Sequence, residues 1–210
     1  ILEPNSKRAS YEVAGSFLEK PSYEEHDIYR GLSVLAQEMD YIQAEVYKNS
    51  NFISPRNNRV LYYDCSNFYF ETEQADELRK YGKSKENRPN PIVQMGLFMD
   101  GDGIPISFSL FDGAANEQPS LKPSETKLLQ DFGFERFVVC TDAGLGSEAN
   151  RKFNDVSNRG FIVTQSLKKL KEEERVSAMD GTNWHRLSDG KAVKNIQGIK
   201  QHPDDDTDEI

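Results

Sequence analysis

The sequence predicts an α/β domain in which a mixed β-sheet is flanked by helices, with a helical segment ahead of it. Three observations predict this. Apolar residues step by three and four early in the chain. Aliphatic and aromatic residues then gather into short β-prone runs, and from about residue 60 to 165 those runs alternate with helical stretches. At 210 residues and 36% hydrophobic content, the chain can form one sizeable domain, or a domain plus part of another.

Between Ser22 and Lys48, the positions Ile28, Leu32, Leu35, Met39, Ile42 and Val46 predict one helix with a single apolar stripe. Ser22 followed by Glu25 reads as a capping box for its first turn. The stripe is expected to pack against the chain's own core, a short coiled-coil seam being the alternative. Ser54 to Arg59, with Pro55, is a connector. Val60 to Tyr63 and Phe68 to Phe70 are β-prone, with Asp64, Cys65, Ser66 and Asn67 between them. Arg79 to Arg88 sets five basic residues against Glu86 alone, a loop of net charge +4.

Ile92 to Met99, the turn Asp100-Gly101-Asp102-Gly103, and Ile104 to Phe111 predict a β-hairpin, whose Pro105 points to a sheet edge. A helix is expected over about Ser124 to Phe132, ending at Gly133. Phe137 to Cys140 is an unbroken apolar run suited to a central strand. A helix from about Ser147 to Arg159, stopped by Gly160, and a short strand from Phe161 to Thr164 complete the series. Strand, two-stranded hairpin, helix, strand, helix, strand is the order of the ribonuclease H-like fold, in which the first strand lies beside the fourth. Residues 166–210 are less regular, with Trp184 as the one clear core candidate. The expected division is therefore 1–58, an N-terminal helical segment; 59–165, the sheet domain; and 166–210, a further region with an acidic end.

No stretch is long and apolar enough to span a bilayer, and no signal peptide pattern opens the chain. Cys65 and Cys140 sit inside apolar runs as small buried residues, so a reducing cytoplasm fits best. The net charge is −9, which argues against coating nucleic acid by bulk electrostatics. Five of those nine excess negatives lie in 202–210, which leaves room for local basic patches. Opening at Ile1 and closing in that acidic run, the chain is expected to be a piece of a longer protein.

Asp64 interrupts an apolar run in the first strand, where an ionised carboxylate is costly unless compensated. Asp142 follows the fourth strand directly, where α/β sheets commonly build their sites. If those strands are neighbours, the carboxylates converge to roughly 5 Å, close enough to share one hard cation. Paired acids of this kind serve two-metal phosphodiester chemistry, with Mg²⁺ suited to the site and Mn²⁺ able to substitute. Spacing alone leaves a second reading open, in which Asp64 caps a bulge and Asp142 caps the following helix.

Tyr62-Tyr63-Asp64-Cys65-Ser66-Asn67-Phe68-Tyr69-Phe70-Glu71 resembles the first-aspartate motif of DDE-type insertion-sequence transposases, of the insertion-sequence-four-like group. Gly82 to Glu86, Asp102 to Pro105, and Phe111 to Glu117 are similar to the stretches that follow it there, and Val138 to Ser147 to the second-aspartate motif. The resemblance runs from about Phe17 to Leu170. Cys65 stands where that family usually has a bulkier β-branched residue, and Gly113 to Asn116 where it has an asparagine-bearing loop.

The resemblance implies a ribonuclease H-like catalytic core that cleaves DNA at element ends and transfers strands, with Asp64 and Asp142 as the first two metal ligands. It implies Mg²⁺, DNA partners, and a homodimer on paired ends. The family's third acid is a glutamate on a later helix. Nothing after Leu170 resembles it, and Glu172, Glu173 and Glu174 come too soon, so 166–210 is expected to begin an inserted region and the chain by itself to be inactive. A non-catalytic DNA-binding or relic protein, and a nuclease of the same fold, are the alternatives.

Lys80, Lys83, Lys85 and Arg88 can track a DNA backbone, or form an ordinary solvated loop. Gly144 and Gly146 fit a tight strand-to-helix turn better than a phosphate cradle. His26, His185 and His202 match no zinc spacing, and no serine or cysteine nucleophile motif or full phosphate loop is present.

Overall fold

Val60–Tyr69 forms a single strand, β1, without the interruption expected at Asp64 to Asn67. The polar quartet keeps the two-residue alternation going: Leu61, Tyr63 and Cys65 are buried, while Tyr62, Asp64 and Ser66 are exposed. Asp64 therefore carries no burial cost, contrary to the expectation from its apolar neighbours. The structure, a computed structural model, describes residues 5–182 and the backbone of residues 185–186 and 192–193.

The expected hairpin is formed by β2 (Ile92–Met99) and β3 (Pro105–Asp112), with Gly103 at φ 78° in the turn. Beyond it come α4 (Leu121–Asp131), β4 (Phe137–Thr141), α5 (Glu148–Asn154) and β5 (Arg159–Val163). The strands lie in the order β3-β2-β1-β4-β5. β1 runs antiparallel to β2 and β2 to β3, whereas β1 and β4 are parallel, with Val60, Leu61 and Tyr62 opposite Val138, Val139 and Cys140. The first strand lies beside the fourth, and Pro105 is on the edge strand, both as the sequence predicts. This mixed five-stranded sheet flanked by helices is ribonuclease H-like.

α4 stops where Gly133 takes φ 70°, which lets the Phe134 N–H reach back to the Leu128 carbonyl at 3.3 Å. α5 is shorter than predicted, and Gly160 lies within β5 rather than ending a helix. The cause is a buried polar knot. Asn154 donates to Glu125 Oε2 at 2.8 Å, and Arg159 donates to Glu125 Oε1 at 3.2 Å and to the Phe153 carbonyl at 3.0 Å. Those bonds end the helix at Asn154 and return the chain to the sheet at Arg159.

The helix predicted over 22–48 is two helices, α2 (Glu25–Gln37) and α3 (Met39–Ile53), which follow α1 (Lys7–Ala14) and meet at Glu38. Glu24 and Asp27 make the capping box instead of Ser22 and Glu25; the Glu24 N–H donates to Asp27 Oδ2 at 2.9 Å. The stripe does not seat as one surface. α2 buries no residue and leaves Leu32 and Leu35 exposed, while α3 anchors through Tyr47, outside the stripe, whose ring lies 5.6 Å from Phe132 and 5.2 Å from Phe134.

The core gathers on one face of the sheet. Leu61, Tyr63, Cys65, Phe98, Ile106 and Val139 meet Tyr47, Leu121, Leu128 and Leu145 there. Tyr62, Phe68 and Leu110 are exposed on the other face. The hairpin is locked to the residues after α3 by Arg56, which donates from Nε to Asp100 Oδ2 at 2.5 Å and from Nη2 to the carbonyls of Ile104 and Pro105. Both side chains are almost wholly buried, at 4% and 0% exposure.

Two compact units divide the chain, Ile1–Ile162 and Val163–Ile210. The second contains α6 (Glu172–Met179) and the two-residue antiparallel strands β6 (His185–Arg186) and β7 (Ala192–Val193). Trp184 and His202 lie outside the described residues. Among the described residues, no helix is long and apolar enough to cross a membrane.

Candidate functional site

β1 and β4 part company just where the two aspartates stand. Their last paired residues are Tyr62 and Cys140, and two residues further along each chain come Asp64 and Asp142. The two-residue period puts Asp64 on the same sheet face as Tyr62, while Asp142 lies one residue past the end of β4. Parallel neighbours lie about 4.8 Å apart. Asp64 and Asp142 are both exposed.

Each carboxylate is oriented by backbone donors. Asp64 Oδ1 accepts from the Cys65 N–H at 2.8 Å. Asp142 Oδ1 accepts from the N–H groups of Gly144 at 3.0 Å and Leu145 at 3.1 Å, an Asx-type turn. Leu145 is buried beneath that turn, and Asn150 of α5 donates to its carbonyl at 2.8 Å, so the Asp142 loop is pinned to the body of the domain. A tight turn into α5, capped by Ser147, accounts for Gly144 and Gly146. Among the described residues, the hydrogen bonds of both aspartates engage Oδ1 and leave Oδ2 to solvent, and no group of three His, Cys, Asp or Glu side chains assembles that could hold a metal ion.

The basic loop is fastened to the sheet at both ends. Lys80 and Ile92 exchange backbone hydrogen bonds at 3.1 and 2.8 Å, and the Gly113 N–H donates to the Leu78 carbonyl at 3.1 Å. Gly82 and Gly113 permit this: a Cβ on Gly82 would lie 1.8 Å from the Gly113 carbonyl oxygen. At the far end, Asn67 of β1 donates to the Lys83 carbonyl at 3.3 Å and accepts from the Lys85 N–H at 3.2 Å. Sequence reasoning assigned Asn67 no role. Its partners lie 16 and 18 residues away, so no local pattern could have revealed them.

The four basic side chains are not equivalent. Lys80 faces Asp112 at 3.7 Å, and Arg88 faces Glu86 at 3.8 Å and stacks over Tyr69 at 5.0 Å. Lys83 is exposed, with no ion pair to a carboxylate among the described residues. Lys85 turns back to the site: its Nζ donates to the Cys65 carbonyl and stands 3.9 Å from Asp64 Oδ1.

Cys65 is buried against Ser120 Oγ at 3.3 Å, and burial pushes its thiol pKa up; Cys140 is half-buried and shifted the same way for the same reason. His26 sits between Glu24 and Asp27 at the start of α2.

The strand order and the open fork between β1 and β4 define a ribonuclease H-like α/β domain, with Asp64 and Asp142 each two residues beyond the last paired positions. No protein-family model matches the chain, and no curated protein does. Solved structures of the Mos1 mariner transposase are similar to it. The paired-end complex with the left transposon end is 12% identical over 77% of this chain and 59% of that one, with a TM-score of 0.35. The catalytic domain of Mos1 is 12% identical over 68% of each chain, also with a TM-score of 0.35, and the Mos1 strand transfer complex is 11% identical with a TM-score of 0.36. The chain thus spans 59% of the length of the first of these. The fold assignment rests on strand order and register, not on these likenesses.

Proposed function

We propose that this chain carries part of the catalytic core of a DDE-type transposase of the insertion-sequence kind, which cleaves DNA at element ends and transfers the freed strand to target DNA. The observation that supports it most is the position of Asp64 and Asp142, each two residues beyond the last pair of β1 and β4, Tyr62 and Cys140. On this reading, 1–58 is an N-terminal helical segment, 59–165 the first part of the core, and 166–210 the start of an inserted region.

The donor chemistry fits a hard divalent cation: two exposed carboxylates, each with one oxygen held by backbone N–H groups. Asp64 and Asp142 would hold Mg²⁺, with Mn²⁺ able to substitute. Such ions activate the attacking oxygen and stabilise the leaving oxygen of a phosphodiester. The chain's own part is to orient the carboxylates and to bring DNA past them. Lys83, Lys85 and Arg88 sit on a loop clamped by Asn67, three residues from Asp64, so a backbone they hold is delivered to the acids. Binding as a homodimer on paired ends belongs to the same proposal.

Metal binding is tested by titrating Mn²⁺ into the protein and following paramagnetic broadening of backbone amides. Resonances near residues 64 and 142 are expected to broaden together and first. Broadening of one without the other removes the shared site. DNA contact has its own test. Lys83→Ala is expected to weaken duplex binding at all sequences and to flatten the log–log salt slope by about 0.9, the value of one phosphate contact. A variant with the wild-type slope takes Lys83 out of the interface.

A further inference from the structure

We infer that Lys85 is a positioning residue, the resident counter-cation of Asp64, which a divalent ion must displace. The inference rests on the proposed metal role of Asp64 and extends it to the group that governs access to that carboxylate.

The fork between β1 and β4 creates the need for such a residue. β1 is paired with β2 along its length, but β4 accompanies it only from Val60 to Tyr62. Past that point, backbone groups on the β4 side of β1 lose their strand partner, and unsatisfied backbone groups are costly. Cys65 shows how they are satisfied. Its N–H donates to Asp64 Oδ1 at 2.8 Å, and its carbonyl accepts from Lys85 Nζ. The ammonium is thereby held 3.9 Å from the same carboxylate oxygen. Backbone, carboxylate and ammonium form one closed circuit on a single residue of the strand.

Chance does not place the ammonium there. Asn67 holds the loop just ahead of the Lys85 side chain, bonding the carbonyl of Lys83 and the N–H of Lys85 itself. The Lys85 stem is thus directed along β1 towards Asp64 before any ligand arrives. Of the five basic loop residues, Lys85 alone makes an ion pair with a proposed metal ligand among the described residues.

An ammonium on a metal-binding carboxylate works against the metal. Both carriers of charge are substantially exposed, at 47% and 69%, so screening keeps the effect modest. Coulomb attraction at this distance in a water-like medium corresponds to about a fivefold change in binding. Once displaced, the ammonium is free to meet a phosphate beside the acids, which couples metal arrival to DNA contact.

The test is Mn²⁺ affinity of the chain without DNA, measured by electron paramagnetic resonance of the free ion. Lys85→Met and Lys85→Gln are expected to tighten binding about fivefold. Lys85→Arg, which keeps the charge, should stay near wild type. Lys48→Met, which removes the same charge from α3, should also stay near wild type. Asp64→Asn should lose most of the binding. Unchanged affinity in both neutral Lys85 variants, with Asp64→Asn still weakened, overturns the counter-cation role and leaves the metal site standing. Equal tightening by Lys48→Met reduces the effect to net charge and overturns it as well. Wild-type affinity in Asp64→Asn removes the metal site itself.

Discussion

Asp64→Asn in the intact protein is expected to lower metal-dependent DNA strand cleavage by at least about a thousandfold, the loss that follows when a metal-holding charge is removed from two-metal phosphoryl chemistry. Asparagine keeps the shape of the side chain and an oxygen for the Cys65 N–H, so the local turn of β1 survives. What disappears is the anionic charge. Asp142→Asn should produce the same loss, because its Oδ1 is likewise held by the N–H groups of Gly144 and Leu145 and its charge is the only property changed. The double variant should be little worse than either single one, since residues acting as a unit are not additive. Both positions are exposed, so the unfolding temperature should hardly move. Wild-type cleavage in either single variant would end the transposase proposal.

Asp100→Ala should have the largest effect on stability. Asp100 is fully buried and accepts from Arg56 Nε at 2.5 Å, from the Ile104 N–H at 2.8 Å and from the Asp102 N–H at 3.0 Å. Its removal strands a guanidinium that is itself 4% exposed, and it frees the hairpin turn. Breaking one partner of a buried pair costs about 3–5 kcal/mol, which at this chain length lowers the melting temperature by about 10 °C. Burial alone would raise the Asp100 pKa, but the hydrogen bonds and charge of Arg56, with the two backbone donors, hold it below the ordinary value. A carboxyl depressed in the folded state stabilises above its unfolded pKa of about 3.9 and loses that contribution as pH falls through the folded value. The gap between wild type and variant should therefore close in strong acid. Calorimetry across that range checks both magnitude and sign, and a gap that widens with acid contradicts the assignment.

The parts legible in the sequence were those fixed by short-range patterning. Alternation marked the hairpin from Ile92 to Phe111, Gly133 marked the end of α4, and the apolar run from Phe137 to Cys140 marked the central strand. The misplaced boundaries share one cause, which is contact between residues far apart in the chain. α5 ends early because Asn154 and Arg159 both reach Glu125, and no spacing rule couples residues some thirty positions apart. The long N-terminal helix divides at Glu38 because α3 turns to seat Tyr47 on Phe132 and Phe134, which lie outside any local window. At the site, the residue types of Asp64, Asp142 and the basic loop were visible, but the separate task of Lys85 was not. That task depends on where β4 stops accompanying β1, a property of pairing and not of composition.

The fork has a consequence for how such a chain changes over generations. Asp64 and Asp142 lie in the open, outside the core and outside the buried networks of Asp100 and Glu125, and an asparagine would keep the backbone contacts each one makes, so folding asks for the shape of these side chains and not for their charge. Drift could erase the chemistry while the architecture persisted unmarked. Only continued use of the acids would keep them in place, which makes these two positions the part of the molecule where working and silent copies would differ.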